Sequence, residues 1–473
     1  MNKIKFVASA LLGLSFSATV FAGGILTNTN QSARFARLMS LEASTQGADI
    51  AYYNPAGTIK LGEGLHFTFS NQSAFQKRII TATNPAYIQS YNRETTKRYE
   101  GTASAPIIPS LQGVYRKGKW ALSGSIAVTG GGGKATFSDG LSLFETAVSQ
   151  MPTLISTLTG GAMKPDRYSV DQYMTGSNFI YGAQLGGAYE INKMFSVYGG
   201  FRLSIVNNKY EGYLRNLETN IGSGGIMASP SPILEAAIPK MEAAGQPQTL
   251  INAAYMFMKA GQEGGAQLSS KQTGWGVAPI IGVNFGYGNL NIGAKYEFKT
   301  SLNVENKTSV DDTGKNNTGM FGDGVNTDHD VPALFTIGAS YKILPQLSAN
   351  VGYHYFFDKD AGMDKGKQKA LNGGTNEYLF GLEYQIDKMF LVSTGGQITR
   401  YGATDEFQSD LSFSVNSYSL GFGGAVNVSK SVQINIGYFF TDYTNYEKAM
   451  GDNAKNIYTR TNKIFTAGVD FTF

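Results

Sequence analysis

Chemistry that needs thiols or paired imidazoles has little to work with in this chain. Its 473 residues include no cysteine and three scattered histidines, His66, His329 and His354, without metal-ligand spacing. Disulfides, thiol catalysis and cysteine-held zinc are therefore excluded, and no serine sits in a nucleophile motif. The expectation is a protein that is not an enzyme, with no catalytic residue, metal or cofactor. Asp311, Asp312, Asp323 and Asp328 read as one solvated loop. What the residues are equipped to do is hold apolar matter. Leu234, Ile238 and Met241 recur at helical spacing, as do Leu250, Ala254, Phe257 and Met258, with Gly245-Gln246-Pro247 between the two runs. This predicts a helical hairpin with apolar faces, which either pack on each other or form a greasy groove with Met256 and Met258 as adaptable contacts. Leu234, Ile238, Phe257 and Met258 are its candidate ligand contacts. A second run, Leu141, Phe144, Val148, Met151, Ile155 and Leu158, has the same spacing but must break or kink at Pro152.

These residues need a scaffold, and the rest of the chain has period two. Leu347, Ala349, Val351, Tyr353 and Tyr355 alternate with Ser348, Asn350, Gly352 and His354. Val432, Ile434, Ile436, Tyr438 and Phe440 alternate with Gln433, Asn435 and Gly437. Such segments are strands with one apolar and one polar face. Fourteen of them are predicted, near 65–77, 106–117, 119–135, 176–191, 193–211, 273–286, 289–302, 331–343, 346–358, 376–386, 388–401, 411–428, 431–444 and 459–473. Their connections alternate between long loops and short turns, the latter centred on Gly118, Asn192, Tyr287-Gly288, Leu344-Pro345, Asp387 and Ser429-Lys430. That alternation belongs to outer-membrane barrels. Composition agrees: 16% of residues are charged and the mean hydropathy is −0.17, as when lipid-facing and lumen-facing residues alternate. A net charge of +4 gives no reason to expect nucleic acid.

Residues 1–22 have a signal peptide's form: Lys3 and Lys5, an apolar run, then Val20-Phe21-Ala22 with small residues at −3 and −1. Export without a later apolar helix leaves a β-barrel as the membrane solution. Gly23 to Leu61 fits neither strand nor span. Within it Pro55 fixes its own φ, disfavours helix at Asn54, and precedes Gly57, so Asn54-Pro55-Ala56-Gly57 reads as a rigid turn. The fold class expected is all-β: a transmembrane antiparallel β-barrel of about fourteen strands, with an N-terminal plug inside the lumen and helical extracellular loops. The domains are 1–22 signal peptide, 23–61 plug and 62–473 barrel, in a bacterial outer membrane, as a monomer among its lipids.

A plug carrying Asn54-Pro55-Ala56 just before the first of about fourteen strands resembles the FadL/TodX outer-membrane transporters of long-chain fatty acids and aromatic hydrocarbons. Thr273-Gly274-Trp275-Gly276 opens the sixth strand as a similar run does there, and the helical insertion falls in the corresponding loop. The resemblance implies diffusive transport of a hydrophobic small molecule, with no catalysis. It also implies a wall that opens sideways at Gly130-Gly131-Gly132-Gly133, and a ligand pocket reached by Ile25 and Leu26 at the mature amino terminus. Where some members carry an arginine for the ligand carboxylate, this chain aligns Gly212, leaving Lys209, Arg215, Arg202, Lys295 and Lys299 as alternatives. A general porin or a structural, adhesive barrel is the rival reading.

Overall fold

The computed structural model describes residues 24–90, 92–451 and 453–473. The segment expected to be a signal peptide, and Gly23 of the expected plug, lie outside the described residues. Among the described residues, seventeen strands form one antiparallel sheet. They are β1 (Gly64–Thr83), β2 (Thr96–Lys117), β3 (Trp120–Phe137), β4 (Tyr168–Glu190), β5 (Phe195–Thr219), β6 (Ala266–Tyr287), β7 (Leu290–Glu297), β8 (Asn303–Asp311) and β9 (Asn326–Asp328). There follow β10 (Leu334–Leu344), β11 (Leu347–Phe356), β12 (Thr375–Gln385), β13 (Phe390–Arg400), β14 (Ser417–Asn427), β15 (Val432–Tyr443), β16 (Tyr446–Gly451) and β17 (Ala454–Thr472). Because β1 pairs with both β2 and β17, the sheet closes on itself and has no free edge along that circuit. Strands β8, β9 and β16 lie outside it, which leaves a closed barrel of fourteen.

The fourteen segments expected from periodicity all appear, but the sequence underestimated the reach of the first six. Beyond the apolar girdle those strands continue as polar or aromatic chain, where alternation fades and the ladder does not. The seventh behaves differently. It was expected over 289–302, yet β7 stops at Glu297 opposite Ile280. The next residue of β6, Pro279, has no N–H for the ladder and only accepts, from the Phe298 amide at 3.0 Å. The chain steps away over Phe298–Leu302, and β8 then resumes pairing with the outer half of β6.

The burial pattern is inverted relative to a soluble protein. Phe67, Phe69 and Phe75 on β1 are exposed, while Ser70, Gln72, Gln76 and Arg78 on its other face are buried. The same holds on β11, where Val351 faces out and Asn350 and His354 face in. An apolar surface running right round a barrel is a lipid-facing surface. Aromatic clusters mark it: Tyr296, Phe298, Tyr355 and Phe357 meet edge to face at 4.7 to 5.9 Å.

The long loops fold over one end. The expected hairpin is present as helices Ser231–Ala243 and Gln248–Ala260. The run at 141–158 divides into Ser142–Val148 and Met151–Leu158, with Pro152 tolerated in the first turn of the second helix.

Candidate functional site

The segment from Gly24 to Leu61 lies inside the barrel and is almost wholly buried. Its backbone fits because the wall it lies against is smooth. A side chain on Gly293 would meet the Glu42 carbonyl at 2.1 Å, one on Gly381 or Gly395 the Leu38 carbonyl at 2.2 or 2.0 Å, and one on Gly421 the Ala36 carbonyl at 2.3 Å. The high glycine content of the strands thus serves a close backbone approach.

Charge fixes the segment's middle. Ser32 caps the helix Ala33–Leu38, and Asp49 accepts from Ser32 at 2.7 Å and from Arg34 at 2.5 Å. Arg37, fully buried, donates to Glu383 at 2.5 Å, Ser393 at 2.8 Å and Asn435 at 3.1 Å, on three different strands. Glu42 and Glu377 bracket His354, at 2.9 and 2.8 Å from its two ring nitrogens. On β5 and β7, Arg202 pairs with Glu297, whose other oxygen takes the Lys295 ammonium at 2.5 Å. Lys295 also donates to the Tyr52 carbonyl at 2.7 Å and lies 4.3 Å over the Tyr52 ring. Buried charges in such contact are costly to separate, so this network holds one arrangement of segment and wall.

Burial would raise the Glu42 carboxyl, but the charge and hydrogen bond of His354 override it and hold the group below its ordinary value. A depressed folded-state pKa adds stability that is full above the ordinary glutamate range, near pH 4.3, and is lost as pH falls through the folded value. Ion conductance through the purified barrel is therefore expected to stay flat from pH 7 to 5 and to rise only in stronger acid. A rise centred near pH 6 would rule out Glu42 as the latch.

The turn Asn54–Gly57 is held by β5 and β6 and not by the first strand, which it precedes in the chain. Asn54 donates to the Ser44 carbonyl at 2.9 Å and to Asn284 of β6 at 2.8 Å, and accepts from the Gly57 amide at 3.2 Å. Pro55 opens a short 3-10 helix that ends at Lys60. Ala56 is buried and its carbonyl accepts from Ser196 at 2.7 Å. Gly57 has no room for a methyl, which would stand 2.3 Å from the Asn54 amide nitrogen.

The barrel wall is interrupted at the glycine run. β2 and β3 pair from Lys117–Trp120 to Leu111–Ile126 and again from Ala103–Ala135 outward, but not between. On β2 the unpaired stretch holds Pro106 and Pro109, which have no N–H to give; on β3 it holds Gly130 to Gly133, with Gly131 and Gly133 at positive φ. The prolines are the partner feature that reading β3 alone overlooked. Into this gap the amino-terminal segment inserts from inside. Thr27 bridges Gly130, the Asn28 amide donates to Thr129 at 2.8 Å, and the Gly131 amide donates to Leu26 at 2.8 Å. Ile25 and Leu26 sit behind it in a buried apolar cluster with Ile180, Val206 and Phe407.

Of the two arrangements expected of the hairpin faces, the candidate contacts adopt the packed one. Leu234, Ile238 and Phe257 point into the core of the loop region, and Met258 packs on its edge. The adjacent face of the hairpin forms the groove instead: Leu154, Leu158, Ile233, Ala237, Met241 and Leu250 line a cavity of about 450 Å³ with Lys240 at its rim. Lys209 is corrected outright. β5 turns it outward, where it pairs with Glu211 at 2.7 Å, because it has the opposite parity to buried Asn208 and Tyr210. Arg202 and Lys295 are committed to Glu297, Lys299 pairs with Asp330 at 3.0 Å, and Arg215 stacks on Tyr213.

Comparison with solved structures places this architecture. A FadL homologue from Pseudomonas aeruginosa matches with a TM-score of 0.61 over 95% of this chain and 99% of its own, at 11% identity. The chain has the FadL/TodX barrel fold. The toluene transporter TodX of Pseudomonas putida matches with a TM-score of 0.55 over 94% of this chain and 99% of its own, at 12% identity. No protein-family model and no curated protein sequence matches, so the FadL/TodX likeness lies in the fold.

Proposed function

We propose that this chain is a bacterial outer-membrane channel for hydrophobic small molecules, of the FadL/TodX kind, in which residues 23–61 act as the plug. The observation that carries the reading is the gap between β2 and β3, filled from within by the amino-terminal residues of an otherwise buried segment. An apolar solute gains nothing from a water-filled pore, since each methylene left in water costs about 0.8 kcal/mol. A route from the groove beside helix Met151–Leu158, past Ile25 and Leu26, to the membrane through Gly130–Gly133 keeps it out of water. A porin needs an open lumen, whereas here the plug's ion pairs cross it. Long-chain fatty acids are the ligands most in keeping with the FadL likeness, and monoaromatic hydrocarbons with the TodX likeness.

Cells lacking their own hydrophobic-compound channels and expressing this chain are expected to take up labelled oleate or toluene well above the vector control. Sugar permeation should stay at the control level. Large, steady ion conductance with free sugar entry would instead assign a porin.

A further inference from the structure

Four lysines lie in one register row across the outward face of the wall. Lys307 of β8 is the direct partner of Lys271 of β6, and Lys271 is the partner of Lys209 of β5. The row runs on through Ser177 of β4 to Lys134 of β3. All four lysines are exposed and have outward parity, with Asn306, Asn208 and Ala135 beside them buried. Opposite residues in an antiparallel pair have Cβ atoms about 4.5–5.5 Å apart, where like charges are destabilising. Lys209 has Glu211 at 2.7 Å, but Lys271 and Lys307 make no ion pair among the described residues. Glu305 stands one outward step below Lys307 on β8 and is not paired with it. The rim above β1 and β2 is built otherwise, because Lys77 and Arg98 both pair with Glu100, at 2.6 and 2.9 Å.

The row stands just beyond the lipid-facing band, on the side of the long loops. On β5 and β6 that band ends at the paired residues Ile205 and Trp275, the latter 70% exposed. One outward pair, Asn207 and Thr273, separates them from Lys209 and Lys271. Four residues of strand cover about 13 Å, which carries the ammoniums from the level of lipid tails to that of headgroups. Trp275 marks the boundary, where tryptophan gathers. The wall is also recessed here. As β6 changes partner from β7 to β8, Leu203, Ile205, Thr273, Trp275, Asn303 and Glu305 line a recess of about 750 Å³.

We propose that this face of the wall docks an outer-leaflet glycolipid whose sugars carry phosphate groups. The phosphates lie along Lys209, Lys271 and Lys307, and one acyl chain enters the recess against Ile205 and Trp275. A phosphate removes the repulsion between neighbouring ammoniums, and its own charge is met by several cations at once. A zwitterionic phospholipid would bring an amine to the same row and gain less. The long loops above β5 and β6 put the row at the outer surface, in the leaflet where such glycolipids lie. The assignment needs an outer-membrane barrel; neither the plug nor the β2–β3 gap enters it.

The test is native mass spectrometry of the purified protein in a nonionic detergent, titrated with bisphosphoryl lipid A and with the same glycolipid stripped of its phosphates. The native protein should prefer the phosphorylated form. Changing Lys271→Gln and Lys307→Gln together should weaken that form about tenfold or more and leave the stripped form unchanged. The paired change to arginine should keep the preference. Trp275→Ala should weaken both forms, because it removes a wall of the recess. Lys388→Gln with Lys430→Gln, at the short turns of the opposite end, is the control for net charge and should bind as the native protein does. Salt at about 1 M, where the screening length falls to about 3 Å, should abolish the native preference without any substitution. Equal native binding of the two glycolipids would overturn the docking face. So would undiminished binding of the phosphorylated form by the glutamine pair, or an equal loss in the control. Uptake of a hydrophobic probe should be normal in the glutamine pair, so failure here leaves the channel reading in place.

Discussion

Deleting residues 24–48 is expected to turn a closed barrel into a steadily conducting one, with current rising on the order of tenfold or more as an aqueous lumen of porin type opens. The barrel itself should survive, because its backbone ladders run from strand to strand and close through β1 and β17 without using the plug. The deletion removes Arg34, Arg37 and Glu42 together. Their partners, Asp49, Glu383 and His354, would then meet the water that replaces the segment, and His354 keeps Glu377. A point change is graded differently. Arg37→Met leaves the rest of the plug in place over an unpaired Glu383, and breaking a buried ion pair costs about 3–5 kcal/mol. That cost should appear as frequent brief openings. Planar-bilayer recordings measure both, with heat-modifiable gel mobility as the check on folding. Unchanged current in the deletion variant would mean that residues 24–48 do not seal the pore.

Much of this architecture is legible in the sequence because a membrane barrel repeats one local rule. Every strand must alternate between lipid and lumen, so Leu347 to Tyr355 announces its own orientation without reference to any other segment. The Asn54 turn is legible for a similar reason, since proline and glycine act on their own backbone. Pairings between distant residues leave no such mark. Nothing near Glu42 points to His354, and nothing near Gly130 points to Pro106 and Pro109. The outer end of β1 is illegible for the same reason: its apolar alternation fades at Lys77, although the ladder continues to Thr83. Lys209 failed for the converse reason. A basic residue near the expected position attracted the assignment, while the parity of β5, readable from Val206 to Tyr210, already turned it outward.

Gly130→Leu is expected to abolish most uptake of a hydrophobic probe while the barrel still folds. The backbone at Gly130 is of a kind any residue adopts, so the effect comes from space: even a Cβ would lie 2.3 Å from the Leu26 carbonyl and 3.0 Å from Ile180. A leucine there must displace Leu26 and Thr27 and occupy the proposed exit. The flanking ladder, from Trp120 to Ile126 and from Ala135 to Phe137, is untouched, so the wall keeps its pairing on either side. Gly131 and Gly133 are poorer choices, because positive φ would add backbone strain and confuse a blocked exit with a misfolded strand. Gly199→Leu is the matched control, since a side chain there meets nothing within 4 Å and uptake should be normal. Labelled-probe uptake and gel mobility of the two variants decide the matter. Full uptake by Gly130→Leu would move the exit away from the β2–β3 gap and leave the tube axis, past the Asn54 turn, as the route.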